Sequence, residues 1–226
     1  AGALSVFLGG SAIVEQQQMV AAYLGATSRA ILIAGVVLFV AFHVQRALES
    51  GEITLILSRP VSRPAFILAY AASQITVATI CALFAALLVA VAAHPPLDGF
   101  VRWVATLLLE VNLLALVAML IGLVLRSAIS TSLACLGFYV LGRMSGLLSA
   151  LAEQAVDGTS VDRLLGRSFE IVSLIIPRLD FFAQSEWLVH GAGDEQLPLV
   201  YAVTQSLVFI PFLLALAVFD FSRKQL

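Results

Sequence analysis

The sequence predicts an all-α membrane protein with six transmembrane helices. Apolar residues make up 61% of its 226 residues and charged residues only 12%, whereas a soluble domain carries about 25% charged residues. The apolar residues also fall into long uninterrupted runs, most of which would fill the roughly 30 Å hydrocarbon core of a bilayer as a helix. Because hydrocarbon cannot satisfy exposed backbone groups, such runs are expected to be helical. The sequence lacks the ten-residue alternating segments of a transmembrane β-barrel.

The whole chain, residues 1–226, is predicted to form a single transmembrane domain. Its first apolar run ends at Glu15. At about 1.5 Å per residue this run is too short to cross a bilayer, so we expect part of the first span to precede this sequence. A polar link that contains Arg29 is expected between the first two spans. The predicted spans are residues 1–14 (truncated), 30–44, 65–93, 100–125, 128–151 and 197–219.

Prolines and charges mark the breaks between the later spans. His94-Pro95-Pro96 ends the third span, because proline cannot continue a helix. Arg126-Ser127 predicts a very tight turn after the fourth span. The longest polar region, residues 153–196, separates the fifth span from the last.

This polar region is predicted to be helical and to lie in the membrane interface. Apolar residues from Val161 to Ile175 recur at helical spacing, with charged residues on the other side, which is typical of a helix lying flat on a membrane. A second apolar patch follows, and aromatic side chains suit the interface. The patch consists of Phe181, Phe182, Trp187 and Leu188.

The distribution of basic residues predicts the orientation of the chain. Basic residues in short loops mark the cytoplasmic side. One set of loops is rich in them and poor in acids, and the opposite set contains most of the acids. We therefore expect the C-terminus inside and residues 153–196 outside. The basic residues of the cytoplasmic set are Arg46, Arg59, Arg63, Arg126, Arg223 and Lys224.

The cytoplasmic link between the second and third spans has the most specific local pattern. Acids stand at its start and arginines at its end, on either side of the apolar run 53–57, an order that suits the dipole of a short helix. Such an element has the right size to fit a groove on a cytoplasmic protein. The alternative is a solvated loop whose arginines contact lipid phosphates.

The link resembles the corresponding segment of bacterial ABC-2 type permeases, the membrane subunits of a class of ATP-binding-cassette exporters. The resemblance is carried by the run ESGEITLILSRPVSRPAFILA, in which seven residues match the family pattern: Glu49, Gly51, Leu55, Leu57, Pro60, Ser62 and Arg63. Pro177, Phe181 and Phe182 match the stretch that precedes the last span in the family. The cytoplasmic amphipathic helix with which the family normally begins is absent from this sequence.

The resemblance implies a coupling helix between spans 2 and 3 that rests on a separate ATPase subunit. The residues it assigns to that contact are Glu49, Gly51, Glu52, Leu55, Leu57, Arg59, Pro60 and Arg63, with Arg126 as a smaller second contact. Arg126 is alternatively a simple cytoplasmic anchor. ATP and Mg²⁺ would bind to the partner and no cofactor to this chain.

The resemblance also implies the surroundings of the chain. It predicts the bacterial inner membrane, a second permease copy or paralogue that completes the pathway, and a lipid bilayer around both. It leaves room for an extra-cytoplasmic subunit at 153–196 and implies no nucleic acid.

Polar residues inside the spans are candidates for a pathway or an ion pair, because ionisable groups in hydrocarbon are costly. Glu110 lies about 15 Å into the fourth span. If spans four and five pack together, Arg143 reaches it. The alternative is that Arg143 extends outward to the interface and Asn112 bonds Glu110. His43 and Gln74 are expected to make local or interhelical polar contacts.

Neither a catalytic motif nor a metal motif is present in the sequence. The chain contains no G-x-x-x-x-G-K-[ST], G-x-S-x-G or H-E-x-x-H, and its histidines and cysteines fall in separate segments. We therefore expect no enzyme activity of its own and no metal. The alternative function is a non-transport membrane scaffold or a lipid-modifying enzyme, for which the outer acids and His190 are the available candidates. Those acids are Asp157, Asp162 and Glu170.

Overall fold

The structure, a computed structural model, describes residues 2–51, 55, 56, 58, 61–147, 177–191, 193 and 197–223, with side chains from Gln18 onward. All the regular structure in these residues is helical. The helices are α1 (Gly2–Glu49), α2 (Arg63–Ala93), α3 (Leu97–Leu125), α4 (Ala128–Arg143), a 3-10 helix (Leu179–Phe182), α5 (Trp187–His190) and α6 (Leu197–Arg223).

Within the described part of the chain, four helices are long and apolar enough to cross a membrane. These are Gln18–Glu49 of α1 and the whole of α2, α3 and α6. Helix α4 has 16 residues, about 24 Å at the usual rise, and is shorter than the bilayer core. The all-helical fold predicted from the sequence is thereby confirmed, and the four long apolar helices suggest a membrane-embedded protein, while the count of six spans and the coupling helix remain predictions.

Helix α1 continues through the region where the sequence predicts a link. It has 48 residues, from Gly2 to Glu49. The two segments predicted as separate spans, 1–14 and 30–44, therefore belong to one helix, apart from residue 1. Glutamine, glutamate and alanine are good helix formers and no proline interrupts the segment, so a polar stretch alone does not end the helix. Arg29 therefore stands inside a helix and not in an external link.

Helix α3 is the centre of the bundle. It packs against α1, α2, α4 and α6, and every residue from Leu113 to Met119 is buried, as expected for a helix that is apolar all round. Helix α2 presents small residues to the bundle interior, which lets helix axes approach closely in a membrane. These residues are Ala71, Ala78, Ala82 and Ala86.

The two predicted breaks on either side of α3 are confirmed. His94, with φ of 44°, and Arg126, with φ of 50°, each end a helix in the left-handed conformation. A left-handed residue at this position is a common helix stop. Pro95 and Pro96 follow the first, and the Ser127 side chain caps α4 by accepting a hydrogen bond from the Ser130 amide at 3.4 Å.

Helix α4 covers the first part of the span predicted at 128–151. It ends at Arg143, with Met144 at its C-cap, residues 145–147 are again helical, and residues 148–151 lie outside the described part of the chain. Gly142 and Gly146 pack closely against Leu179 and Asp180. The end of the helix thus lies against the segment that precedes α6.

The bundle has two distinct ends. The link end carries the described residues of 50–62 (50, 51, 55, 56, 58, 61 and 62), Arg126 and the last turn of α6, where Arg63 Nη1 donates to the Ser222 carbonyl at 3.2 Å. The cap end carries residues 94–96 and the segment 177–191, called the capping segment below.

The capping segment packs into the cap end of the bundle. Phe182, Trp187 and Leu188 are buried and Phe181 is partly buried, while the interfacial depth predicted for this patch remains a prediction. Two glycines leave room for this close packing: a Cβ added at Gly25 would lie 2.3 Å from Leu188 Cδ1, and one added at Gly99 would lie 1.9 Å from the Trp187 carbonyl oxygen. The stretch from Val161 to Ile175 lies outside the described residues.

We predict that Gly99→Ala destabilises the bundle, because the added Cβ would lie 1.9 Å from the Trp187 carbonyl oxygen. Overpacking of this kind costs about 1–3 kcal/mol. The matched control is Gly137→Ala in α4, where a Cβ meets nothing within 4 Å and alanine favours the helix. Thermal unfolding in detergent should show a lower Tm for the first variant and an equal or higher Tm for the second. Equal Tm values for the two variants would contradict the packing of the capping segment on α3.

Candidate functional site

A buried ion pair joins α1 to α3. Arg29 Nη1 and Glu110 Oε2 are 2.8 Å apart, and the two side chains are 1% and 0% exposed. Charge-assisted hydrogen bonds of this length are among the strong ones in proteins. A charge stranded in an apolar bundle is costly, so each residue depends on the other.

Arg29 has further partners, which fix its orientation. Nη2 donates to the Trp103 carbonyl at 3.1 Å and to Thr106 Oγ1 at 3.3 Å, and Nη1 also donates to the Phe182 carbonyl. The guanidinium carbon lies 5.1 Å from the centroid of the Trp103 ring, within the range of a cation–π interaction. The planar guanidinium is thus held by α3 on one side and by the capping segment on the other.

A second arginine approaches the same carboxylate. Arg143 Nη1 lies 3.9 Å from Glu110 Oε1, and its side chain is 26% exposed. The same nitrogen donates to the Leu179 carbonyl at 3.4 Å, and the guanidinium carbon lies 5.6 Å from the Tyr139 ring centroid. At this distance Arg143 acts on Glu110 through its charge and makes no direct hydrogen bond.

Together these groups form what we call the arginine junction: Arg29, Glu110 and Arg143 with the carbonyls of Leu179 and Phe182. Each arginine contacts Glu110 and one end of the 3-10 helix of the capping segment. One carboxylate therefore organises contacts among α1, α3, α4 and the capping segment. Two cations and one anion leave the junction with a formal charge of +1.

The capping segment has its own polar support next to the junction. Arg178 Nη2 and Asp180 Oδ2 are 2.9 Å apart, and Ser145 Oγ donates to Asp180 Oδ1 at 3.0 Å. These bonds tie the start of the 3-10 helix to the chain just beyond α4. The segment is held by side chains from two sides as well as by its buried apolar residues.

The other intramembrane polar residues join pairs of helices. Of the two alternatives for Arg143, the structure shows the one in which it lies close to Glu110. Asn112 does not bond Glu110: its amide nitrogen donates to Thr79 Oγ1 of α2 at 3.1 Å. Gln45 Nε2 donates to the Gly122 carbonyl at 3.0 Å. Gln74 is buried. His43 stacks between the rings of Phe39 and Tyr70, at centroid distances of 5.6 and 5.7 Å.

The sequence interpretation missed Arg29, although the pattern contained a signal for it. Arg29 lies four residues before Ile33, and the buried residues that follow on α1 continue at intervals of three or four: Val36, Val37, Val40 and Val44. In a continuous helix this spacing places Arg29 on the buried face. The polar residues between Glu15 and Arg29 indicate a loop, and in a loop this spacing has no meaning.

At the link end the structure describes part of the predicted contact set. Gly51 has φ of +71°, and Leu55, 69% exposed, follows it with its amide donating to the Gly51 carbonyl at 3.0 Å. Glu49 and Arg126 are also exposed. Glu52, Leu57, Arg59 and Pro60 lie outside the described residues.

Metal chemistry finds no support in the described residues, among which no group of three or more potential ligands occurs. The two cysteines do not pair: Cys81 is exposed and Cys135 is buried.

Comparison of the chain with protein-family models, with curated proteins and with solved structures finds no match.

We predict strong coupling between Arg29 and Glu110. Arg29→Met or Glu110→Met alone strands the opposite charge, which costs about 3 kcal/mol when the pair is buried, while the double variant leaves no unpaired member of that pair. The free energy of unfolding, from SDS titration in mixed micelles, should give a coupling energy of about 1 kcal/mol or more in the double-mutant cycle. Additive losses would show that the two charges do not depend on each other.

Arg143→Met provides the matched comparison. Its guanidinium is partly exposed and lies farther from the carboxylate, so its removal should cost clearly less than that of Arg29. An equal or larger loss would place the main partner of Glu110 on α4 and not on α1.

Proposed function

We propose that this chain is the permease subunit of an ABC exporter, driven by a separate ATPase subunit that binds at the link end. The observation that carries the proposal is the exposed apolar surface in the segment that resembles the family's coupling link. Leu55, Ile56 and Val61 are all exposed there. The proposal places the link end and the C-terminus in the cytoplasm of a bacterium, with the chain in the inner membrane.

The position of this surface supports a protein partner. Glu49 and Arg126 lie exposed at the same end, so this end of the bundle carries exposed charged residues as well as apolar ones. Charged groups mark the water side of a bundle. Apolar residues grouped at such a place, with a charged rim, are typical of a protein contact.

The bundle also contains a rigid connection from this surface to the opposite end. Helix α1 runs about 30 Å from Glu49 to Arg29, where the arginine junction holds the capping segment. Movement of the link end upon nucleotide binding would therefore reach the capping segment through one helix and one ion pair. Alternation between two packed arrangements is the usual form of such a transition.

A complete pathway would require a second copy or a paralogue. Helix α3 is buried among its neighbours, so the described residues form a solid bundle around it. A substrate route would then lie between two subunits and not through one. An extra-cytoplasmic subunit at 153–196 remains compatible with this arrangement.

We predict that Leu55→Ser reduces the amount of ATPase bound to the chain. The tagged protein would be purified with its partners from its native membrane in mild detergent, and ATP hydrolysis would be measured per mole of tagged chain. Loss of a central apolar contact costs more than about 1 kcal/mol, so activity should fall at least about fivefold at limiting partner concentration. Leu197→Ser is the matched control, since Leu197 is 71% exposed at the cap end.

The outcome separates the candidate functions. A scaffold or a lipid-modifying enzyme predicts no ATP hydrolysis in the purified wild-type assembly. If hydrolysis is present but both variants reduce it equally, the partner does not bind at the link end.

The proposed orientation can be tested with single cysteines on a background of Cys81→Ala and Cys135→Ala. Glu186 is exposed in the capping segment and Arg126 is exposed at the link end, so the two variants are Glu186→Cys and Arg126→Cys. An impermeant maleimide should label the first variant in intact cells and the second only after permeabilisation. The reverse pattern would place the link end outside and remove the basis for a cytoplasmic ATPase.

A further inference from the structure

One oxygen of the Glu110 carboxylate is buried without a hydrogen bond. Oε2 lies 2.8 Å from Arg29 Nη1, whereas Oε1 accepts no hydrogen bond from the described residues, although the side chain is fully buried. A buried polar atom without a partner keeps its desolvation cost, which is larger for a charged group. The carboxylate is therefore able to accept one more donor.

Arg29 does not supply this donor. Its two Nη nitrogens already donate to the acceptors described above, and its remaining donor, Nε, has no acceptor among the described residues. The free oxygen of Glu110 is thus left to Arg143, whose Nη1 lies 3.9 Å from it.

Arg143 Nη1 stands between two acceptors and bonds neither of them at full strength. It donates to the Leu179 carbonyl at 3.4 Å, beyond the usual range of such bonds, and a charge-assisted bond to Glu110 Oε1 would need a shift of about 1 Å, to about 2.8 Å. Two favourable bonds would draw the nitrogen to both acceptors if these lay close enough together. The distances therefore indicate that a closer approach to Glu110 weakens the bond to Leu179.

The demand of Glu110 for Arg143 depends on Arg29. A carboxylate without a cation is costly inside an apolar bundle, so Glu110 needs at least one arginine beside it. While Arg29 is paired with it, its charge is balanced and Arg143 is available to the capping segment. If Arg29 withdraws, Arg143 is the other cation that the structure describes next to the carboxylate.

We propose that Arg143 is a latch for the capping segment, and that the position of Arg29 sets the latch. With Arg29 on Glu110, Arg143 holds the Leu179 carbonyl and the latch is closed. When α1 moves Arg29 away, Arg143 shifts onto Glu110 Oε1 and releases Leu179, while the contact of Arg29 with the Phe182 carbonyl is lost as well. Both ends of the 3-10 helix are then free of the arginines, and the capping segment opens.

The use of this latch by a link-end partner rests on the proposed function, because α1 carries Arg29 and also ends at the link. The latch itself requires only this chain. Its test is therefore made on the detergent-purified chain without an ATPase, so a failed latch leaves the proposed function standing, and the loss of ATPase binding does not bear on the latch.

The test is hydrogen exchange of residues 177–191, measured by mass spectrometry. Loss of one hydrogen bond changes a local opening equilibrium about fivefold. Arg29→Met should remove two contacts from the capping segment, its own and that of Arg143. Adding Glu110→Met should then slow exchange about fivefold, because Arg143 returns to Leu179. Adding Arg143→Met to Arg29→Met should leave exchange unchanged, because that contact is already lost.

Every rate is divided by the exchange rate of residues 63–70, at the opposite end of the bundle, so that a change in global stability cancels. An arginine that is fixed on Leu179 predicts the reverse pattern. Glu110→Met would then leave the exchange of the Arg29→Met chain unchanged, and Arg143→Met would accelerate it. Either result would overturn the latch.

A milder variant tests the position of Arg143 directly, should Arg29→Met not fold. Glu110→Gln keeps the size of the side chain and an acceptor for Arg29 but removes the charge that attracts Arg143. Modification of the partly exposed Arg143 by phenylglyoxal should accelerate several-fold, with Arg178, paired with Asp180, as the internal reference. Equal rates at Arg143 in wild type and variant would show that the carboxylate does not draw it inward, and the latch would be wrong.

Discussion

The ion pair between Arg29 and Glu110 is the interaction on which the rest of the bundle depends. Both side chains are buried, and in an apolar bundle neither tolerates the loss of the other. The pair fixes the rotation of α1, because the face that carries Arg29 must point at α3. It also fixes α3 as the centre, because Glu110 needs cations from neighbouring helices. The buried valines of α1 then follow on the same face by helical spacing.

The same pair determines how the cap end is closed. Arg29 and Arg143 have donors left over after contacting one carboxylate, and the carbonyls of Leu179 and Phe182 accept them. An arginine with several donors in a fixed plane suits this double role better than a lysine would. The capping segment is thereby attached to the charged centre of the bundle and not only to its apolar surface. Any rearrangement of the cap end must therefore act on the junction, which is why a link-end partner connected through α1 is a mechanically sensible proposal.

An apolar groove opens between α1 and α2, lined by Ile31 and Leu32 on one helix and by Ile80 and Phe84 on the other. Helices that are attached to a common centre by specific bonds do not also need to pack against each other along their whole length. In water such a gap would be destabilising, because apolar side chains such as Ile31 and Phe84 would remain exposed. In hydrocarbon this cost is absent, because lipid tails are as apolar as leucine and phenylalanine side chains.

The sequence by itself determined that the fold is all-helical and where two of its helix breaks lie. Long apolar runs with few charges leave the helix as the structure that satisfies the backbone in hydrocarbon, and His94-Pro95-Pro96 and Arg126-Ser127 marked the ends of α3. It also indicated that Glu110 needs a partner and named Arg143 as a candidate. Only the tertiary structure decided that Arg29 is the closer partner, that α1 continues without a link, and that Phe182 and Trp187 face the bundle interior. The physical reason is that hydropathy reports how polar a residue is, whereas its burial depends on whether neighbouring groups balance its charge and satisfy its hydrogen bonds. An arginine next to a carboxylate can therefore be buried in a helical bundle, and so can a loop segment packed against a glycine. The composition of the sequence does not predict either.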